Sequence, residues 1–214
     1  MMKRMTLLAR KEGMSTSDFR AYWAGPHAKL ALGMNGITKY THNRVDKVLW
    51  TAGDHGPAFD VDGIVELFFA DAEVMRMAQA SSVGKKFIPE DEPGFLKGWT
   101  LCVVDEDGDE PGDAAVKVMI PFHAEADVRD SLWRSLKHAA EALNAKVTLN
   151  WTVSTARRER LWAEPAPPTG FVGAWFDSVA AAHEAFEPSC ELRRVLESST
   201  VDGAAYLIDQ LRIR

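Results

Sequence analysis

The sequence predicts an α+β protein, built as two β-α-β-β-α-β units whose antiparallel sheets pack face to face as an α/β barrel. Three observations carry this. The stretch Asp105-Glu106-Asp107-Gly108-Asp109-Glu110-Pro111-Gly112-Asp113 holds six acids among nine residues and divides the chain almost in half. The same succession of apolar and helix-forming segments runs on either side of it. Segments such as Ile64-Val65 and Leu67-Phe68-Phe69 are apolar at both parities, so helices must bury one sheet face and a second sheet the other.

In the first half, an apolar strand spans Met5 to Arg10. Ser15, with Asp18 three residues on, opens a helix through a capping box in which Asp replaces the usual Glu or Gln. Phe19 and Trp23, four apart, share the face that packs on the sheet. Inside a continuing helix Pro26 would forfeit the bond to the Tyr22 carbonyl and clash with it. Gly25-Pro26 therefore predicts a break, with Pro26 opening a second short helix and His27 in its first turn. Alternation from Ile37 to Val48 reads as a strand, Gly63 to Ala70 as a third, Asp71 to Ala80 as a helix, and Leu96 to Val104 as the last strand.

The second half repeats the order. Val116 to Ile120 is a strand and Glu125 to Asn144 a helix. Lys146 to Leu161 alternates, and Gly170-Phe171-Val172-Gly173-Ala174-Trp175-Phe176 echoes Gly63-Ile64-Val65-Glu66-Leu67-Phe68-Phe69. A helix from Ser178 to Phe186 and a strand from Ala204 to Ile213 complete it. This is the split-βαβ, ferredoxin-like order occurring twice. The units are residues 1–104 and 114–214, joined by an exposed acidic linker at 105–113.

Composition narrows the function. The chain has 214 residues, 46% hydrophobic, with a net charge of -6, and a pI near 5.5 without a basic block argues against nucleic acid as the partner. No apolar run approaches the roughly 18 residues of a membrane span. Met1 to Arg10 has neither the apolar stretch nor the cleavage site of a signal peptide. Two cysteines, Cys102 and Cys190, fit reduced thiols and a cytoplasmic location. Neither histidine nor cysteine spacing suggests a metal site, and no Gly-rich phosphate loop or Gly-x-Ser-x-Gly elbow is present. A soluble protein that binds something small is what remains.

Candidate chemistry concentrates in the first half. His27 at a helix start lies where the macrodipole disfavours imidazolium, and a neutral imidazole can act as a base. Tyr40, His42 and Arg44 share one face of their strand, and Ile64, Glu66 and Phe68 share a face of the next. A carboxylate such as Glu66 in an apolar strand is costly unless paired or protonated, and burial would raise its pKa. Gly173 stands where the first half has Glu66, and the second half lacks a Trp-x-x-x-His motif, so the lobes are chemically unequal. Among seven tryptophans, Trp23, Trp99, Trp151 and Trp175 fall on predicted elements, where core packing is the ordinary role and an aromatic pocket the alternative. Asn150 and Thr152 share a strand face and are the second lobe's polar candidates. The cluster Arg157-Arg158-Glu159-Arg160 reads as an exposed strand end, with an anionic substrate group as the alternative role.

At these residues the chain resembles the EthD-like family of the dimeric α/β-barrel superfamily. The matching pieces are Met14-Ser15-Thr16-Ser17-Asp18-Phe19-Arg20-Ala21-Tyr22-Trp23, Pro26-His27-Ala28, Gly36-Ile37-Thr38-Lys39-Tyr40, Asp62 to Phe69, and Glu90-Asp91 before Phe95. They cover about residues 3 to 105; the rest looks like a degenerate second copy, a tandem-repeat form. Members usually pair two sheets between two chains, and relatives include cofactor-free monooxygenases, cyclases, dehydratases, isomerases and haem enzymes. The resemblance implies a barrel-lumen site led by His27, with Tyr40, His42 and Glu66 as neighbours. From the residues themselves, His27, Tyr40 and Glu66 are the catalytic candidates and Trp23, His42, Phe68, Trp99 and Asn150 the substrate-binding ones.

The function expected is a cofactor-independent lyase, dehydratase, cyclase or isomerase acting on a hydrophobic aromatic or polyketide-like molecule, as in aromatic compound degradation. His27 would abstract a proton, and Tyr40 or a protonated Glu66 would donate to the oxyanion. No residue singles itself out as an axial haem ligand. The alternatives are a cofactor-free monooxygenase on a phenol and a non-catalytic binder of hydrophobic ligands. A homodimer is compatible with all three.

Overall fold

The computed structural model describes residues 1–52, 59–111, 116–162 and 167–214. Its eight strands are β1 (Met2–Arg10), β2 (Ile37–Ala52), β3 (Gly63–Phe69), β4 (Leu96–Asp107), β5 (Val116–His123), β6 (Lys146–Ala156), β7 (Gly170–Phe176) and β8 (Asp202–Arg212). They close into one antiparallel barrel in the order β1-β3-β2-β8-β5-β7-β6-β4. Each half supplies four neighbouring strands. The seams between halves are the β2–β8 pair, with Val45 opposite Ile208, and the β4–β6 pair, with Val103 opposite Ser154. The two sheets thus meet within a single chain. β3 and β7 are buried along their whole length, as apolar residues at both parities require.

Helices pack on the outside of each sheet. In the first half these are α1 (Thr16–Tyr22), α2 (Ala28–Leu32), α3 (Ala72–Ala80) and α4 (Ile88–Asp91); in the second, α5 (Arg129–Ala142), α6 (Val179–Glu184) and α7 (Glu191–Ser199). Among the described residues, no helix is long and apolar enough to cross a membrane. Side chains divide into three layers. Phe19, Trp23, Tyr40, Val65, Leu67 and Phe69 fill the helix–sheet layer of the first half. Val118, Ile120, Phe122, Leu132, Leu136 and Val172 fill that of the second. Met5, Leu7, Ile64, Met119, Phe171 and Tyr206 fill one end of the barrel interior. The other end of the interior is ionic. Glu66 sits between Lys117, at 2.6 Å, and Lys3, at 2.9 Å, and accepts from Asn43 Nδ2 at 2.8 Å.

Two sequence expectations change, and two elements are added. The helix does not break at Gly25-Pro26: Trp23–His27 forms a π-turn in which the Ala28 N–H reaches the Trp23 carbonyl, and α1 runs through it into α2. The wider turn accommodates the proline, so His27 is not at a helix start and the dipole argument for it falls. The acidic stretch is not a wholly exposed linker. β4 extends through Asp107, and Glu106 and Glu110 turn to the barrel mouth, where Glu106 meets Lys3 at 2.5 Å and Glu110 meets Lys3 and Lys39. Opposite charge at that mouth outweighs the tendency of acids to remain in water. The amphipathic helix α7, which buries Leu192 and Leu196, and the segment from Val83 to Asp91 have no counterpart in the sequence reading. Gly112, Asp113 and His55 lie outside the described residues.

Candidate active site

Two π-turns position the candidate residues. The first, Trp23–His27, presents His27 to the sheet. The second, Val83–Phe87, leads into α4, which ends on Asp91. Local register slips of this kind aim side chains that a regular helix would place elsewhere. Asp91 Oδ2 lies 2.8 Å from His27 Nδ1, and Asp91 Oδ1 accepts from the Tyr22 hydroxyl at 2.6 Å. The hydrogen bond from His27 holds the Asp91 carboxyl below its ordinary range, and Tyr22 adds to this, with burial opposing. A carboxylate on Nδ1 places the ring proton there and leaves Nε2 as the acceptor. His27 Nε2 has no hydrogen-bond partner among the described residues. Phe95 packs against the ring, 4.8 Å between centroids.

His27 lines a small cavity of about 30 Å³ between the helices and the first sheet, shared with Arg4, Thr6, Tyr40, Glu92 and Trp99. Apolar walls come from Leu8, Ala31, Met34, Val65, Leu67, Ile88 and Leu96. Arg4 is the cation of this cavity. Burial pulls its guanidinium down to about 10, against the attraction of Glu92, so it remains charged at neutral pH, and its Nε has no partner. Burial pushes the Tyr40 phenol up, keeping it a neutral donor. Glu92 is buried too and pushed up by that burial, while Arg158 and Arg4 oppose the rise. Arg158 reaches over from the segment after β6, with Nε 2.7 Å from Glu92 Oε2 and its guanidinium 4.4 Å from the Trp99 ring centre.

Beside the cavity, Trp23 stacks on His42 at 3.9 Å with 13° between the planes, and Tyr40 meets His42 edge-on at 4.7 Å. Both His42 nitrogens are buried without a hydrogen bond. Burial pushes this imidazole down to about 3, with His27 and Arg44 adding repulsion, so it is neutral.

The structure therefore brings His27, Tyr40, Trp23, His42 and Trp99 together, but between sheet and helices rather than in the barrel lumen. Glu66, Phe68 and Asn150 are on the other side of the wall. Phe68 lies under Lys3 and Lys39, at 5.0 and 4.8 Å, and Asn150 donates to Thr148 Oγ1 at 3.2 Å. Burial alone would raise the Glu66 carboxyl, but Lys117 and Lys3 hold it well below the ordinary range. A protonated Glu66 donor is thus replaced by a structural carboxylate. Asp91, Tyr22, Arg4 and Glu92 were not singled out as site residues in the sequence. The one signal was the Glu90-Asp91 pair before Phe95, which marks the segment but not its partner.

Comparison with known proteins bears on the family and the fold. Residues 11–98 match the family described as the EthD domain. A search of curated proteins finds no match. Among solved structures, an anthrone oxidase-like protein aligns with a TM-score of 0.66 at 9% identity, over 99% of this chain and 93% of that one. A proposed monooxygenase from Lactobacillus acidophilus NCFM aligns at 0.56 and 9%, over 100% and 94%. A mutant chlorite dismutase from Candidatus Nitrospira defluvii aligns at 0.52 and 10%, over 98% and 90%. At such identities these likenesses speak for the fold alone. Residues 11–98 thus match the EthD domain, and the whole chain shares its α+β-barrel fold with these structures.

Proposed function

We propose that the chain is a small-molecule enzyme that uses His27 as a general base on a hydrophobic aromatic or polyketide-like substrate, without a cofactor. The observation that carries this reading is the His27–Asp91 pair on a cavity that also holds the Arg4 cation. Asp91 fixes the tautomer, Nε2 takes a proton from carbon next to a carbonyl or from a phenol, and the electron pair moves onto oxygen. Arg4 and the Tyr40 hydroxyl stabilise that oxyanion. Return of the proton at another position gives an isomerase outcome; expulsion of a β-leaving group that takes up the proton gives a lyase outcome, and attack of the carbanion on a second carbonyl of the same molecule, whose oxygen takes up the proton, gives a cyclase outcome. The site needs no second chain, since every group named belongs to this one.

A second reading, oxygenation of the same anion by molecular oxygen, is favoured by the anthrone oxidase-like and monooxygenase-like neighbours. Anthrone separates the two, because its methylene proton is acidified by the ring carbonyl. Under argon in deuterated buffer, the protein is expected to speed exchange of that proton, followed by NMR. His27→Ala should slow exchange about 10²-fold or more, and Asp91→Asn should cause a loss of the same kind by freeing the wrong tautomer. Exchange unaffected by His27→Ala would sink the assignment. Protein-dependent oxygen uptake in air that His27→Ala abolishes would favour the second reading, and binding without exchange a carrier.

A further inference from the structure

The cavity of about 30 Å³ is too small for an aromatic substrate as it stands, so its wall must open. On the outer side of that wall lies a groove of about 680 Å³, between the segment 80–93 and the segment 157–161. The two spaces share Glu92, and the Arg158–Glu92 pair stands between them. Its lining carries five cations, Lys85, Lys86, Arg157, Arg158 and Arg160, against three carboxylates, Glu90, Glu92 and Glu159. That excess of positive charge occurs in a chain whose net charge is -6. Lys85, Lys86 and Arg160 are exposed, whereas Arg158 is half-buried over Trp99.

From this we infer that the groove is an anion-binding entrance, and that the substrate is an aromatic acid whose charged group docks there before its apolar body enters the cavity. This rests on the reading of the cavity as the substrate site. Lys85, Lys86 and Arg160 draw the anion in, and it competes with Glu92 for Arg158. Once Arg158 turns to the ligand, the partition over Trp99 is open. Glu92 then keeps only the longer-range attraction of Arg4, so the incoming anion has to offset the ion pair that Arg158 gives up.

Two fluorescent probes with one aromatic skeleton test this without turnover. 8-Anilinonaphthalene-1-sulfonate carries an anion, and N-phenyl-1-naphthylamine does not. The protein should bind the sulfonate about tenfold more tightly than the neutral probe, and salt should weaken only the sulfonate. The surface variant Lys85→Gln, Lys86→Gln, Arg160→Gln should lose about tenfold for the sulfonate and leave the neutral probe unchanged. Equal affinities for the two probes, or a sulfonate affinity indifferent to the triple variant, would overturn the inference. The readout is binding alone, so failure of anthrone exchange strikes the chemistry and leaves the groove standing, and the reverse also holds.

Discussion

His42 shows how one residue can set an acid limit on the molecule. Its ring is sandwiched against Trp23 and edge-on to Tyr40, and neither nitrogen is bonded. Between its ordinary value of 6.5 and the buried value of about 3, the unfolded chain holds a proton there that the folded chain refuses. Stability from this site is therefore complete above the ordinary value and is lost as the pH falls through that window, at no more than about 1.4 kcal/mol per pH unit. His42→Phe keeps the stack and removes the titration. Urea denaturation across that range should show a shallower acid slope for the variant than for the wild type, and identical slopes would refute the buried-neutral description.

At the scale of elements, the site depends on close approach between a helix and a strand. A Cβ built on Gly63, at the start of β3, would lie 2.5 Å from Trp23 Cζ3 and 2.6 Å from Cη2. The indole cannot retreat, since Phe19 packs on it at 5.4 Å and His42 at 3.9 Å. Gly63→Ala should therefore cost about 1–3 kcal/mol and alter the near-ultraviolet dichroism of the tryptophans; a stable variant with an unchanged spectrum would show that the layer is looser than described. Much of this layer was legible in the sequence, because Phe19–Trp23 spacing and strand alternation are local signals. Alternation separated Tyr40 and His42 from Thr41 and Asn43 correctly. It did not say which set faces the helices, and so Glu66, Phe68 and Asn150 were grouped with residues on the opposite side of the sheet. Pro26 misled in another way, because a proline that stops an α-turn is accommodated by a π-turn. Asp91, Arg4 and Arg158 come from three distant segments, and no spacing rule connects them to His27.

The whole molecule is held by charge as well as by apolar packing. Glu66 of the first half binds Lys117 of the second, inside the wall that both halves build. Lys3 has Glu106 and Glu110 besides, whereas Glu66 is the one carboxylate paired with Lys117 among the described residues. Glu66→Gln should leave that ammonium buried without a counter-charge and lower stability by roughly 3–5 kcal/mol. Glu66→Met combined with Lys117→Met should recover most of the loss, as measured by chemical denaturation; a single variant as stable as the wild type would mean that the pair is solvated. The α+β class and the packing of antiparallel strands into a barrel were visible from the sequence, but this ionic core was not. Lys3 and Lys117 sit near the ends of predicted strands, where a lysine ordinarily reaches water.

The seams β2–β8 and β4–β6 join strands of one polypeptide. A barrel assembled from two separate chains obeys mass action, and its lumen opens to water when the subunits are diluted below their dissociation constant. Here the same contacts form in a first-order step, whose equilibrium is indifferent to how many copies the solution contains. Barrel closure, and with it the sheet that backs His27, therefore persists at any protein abundance.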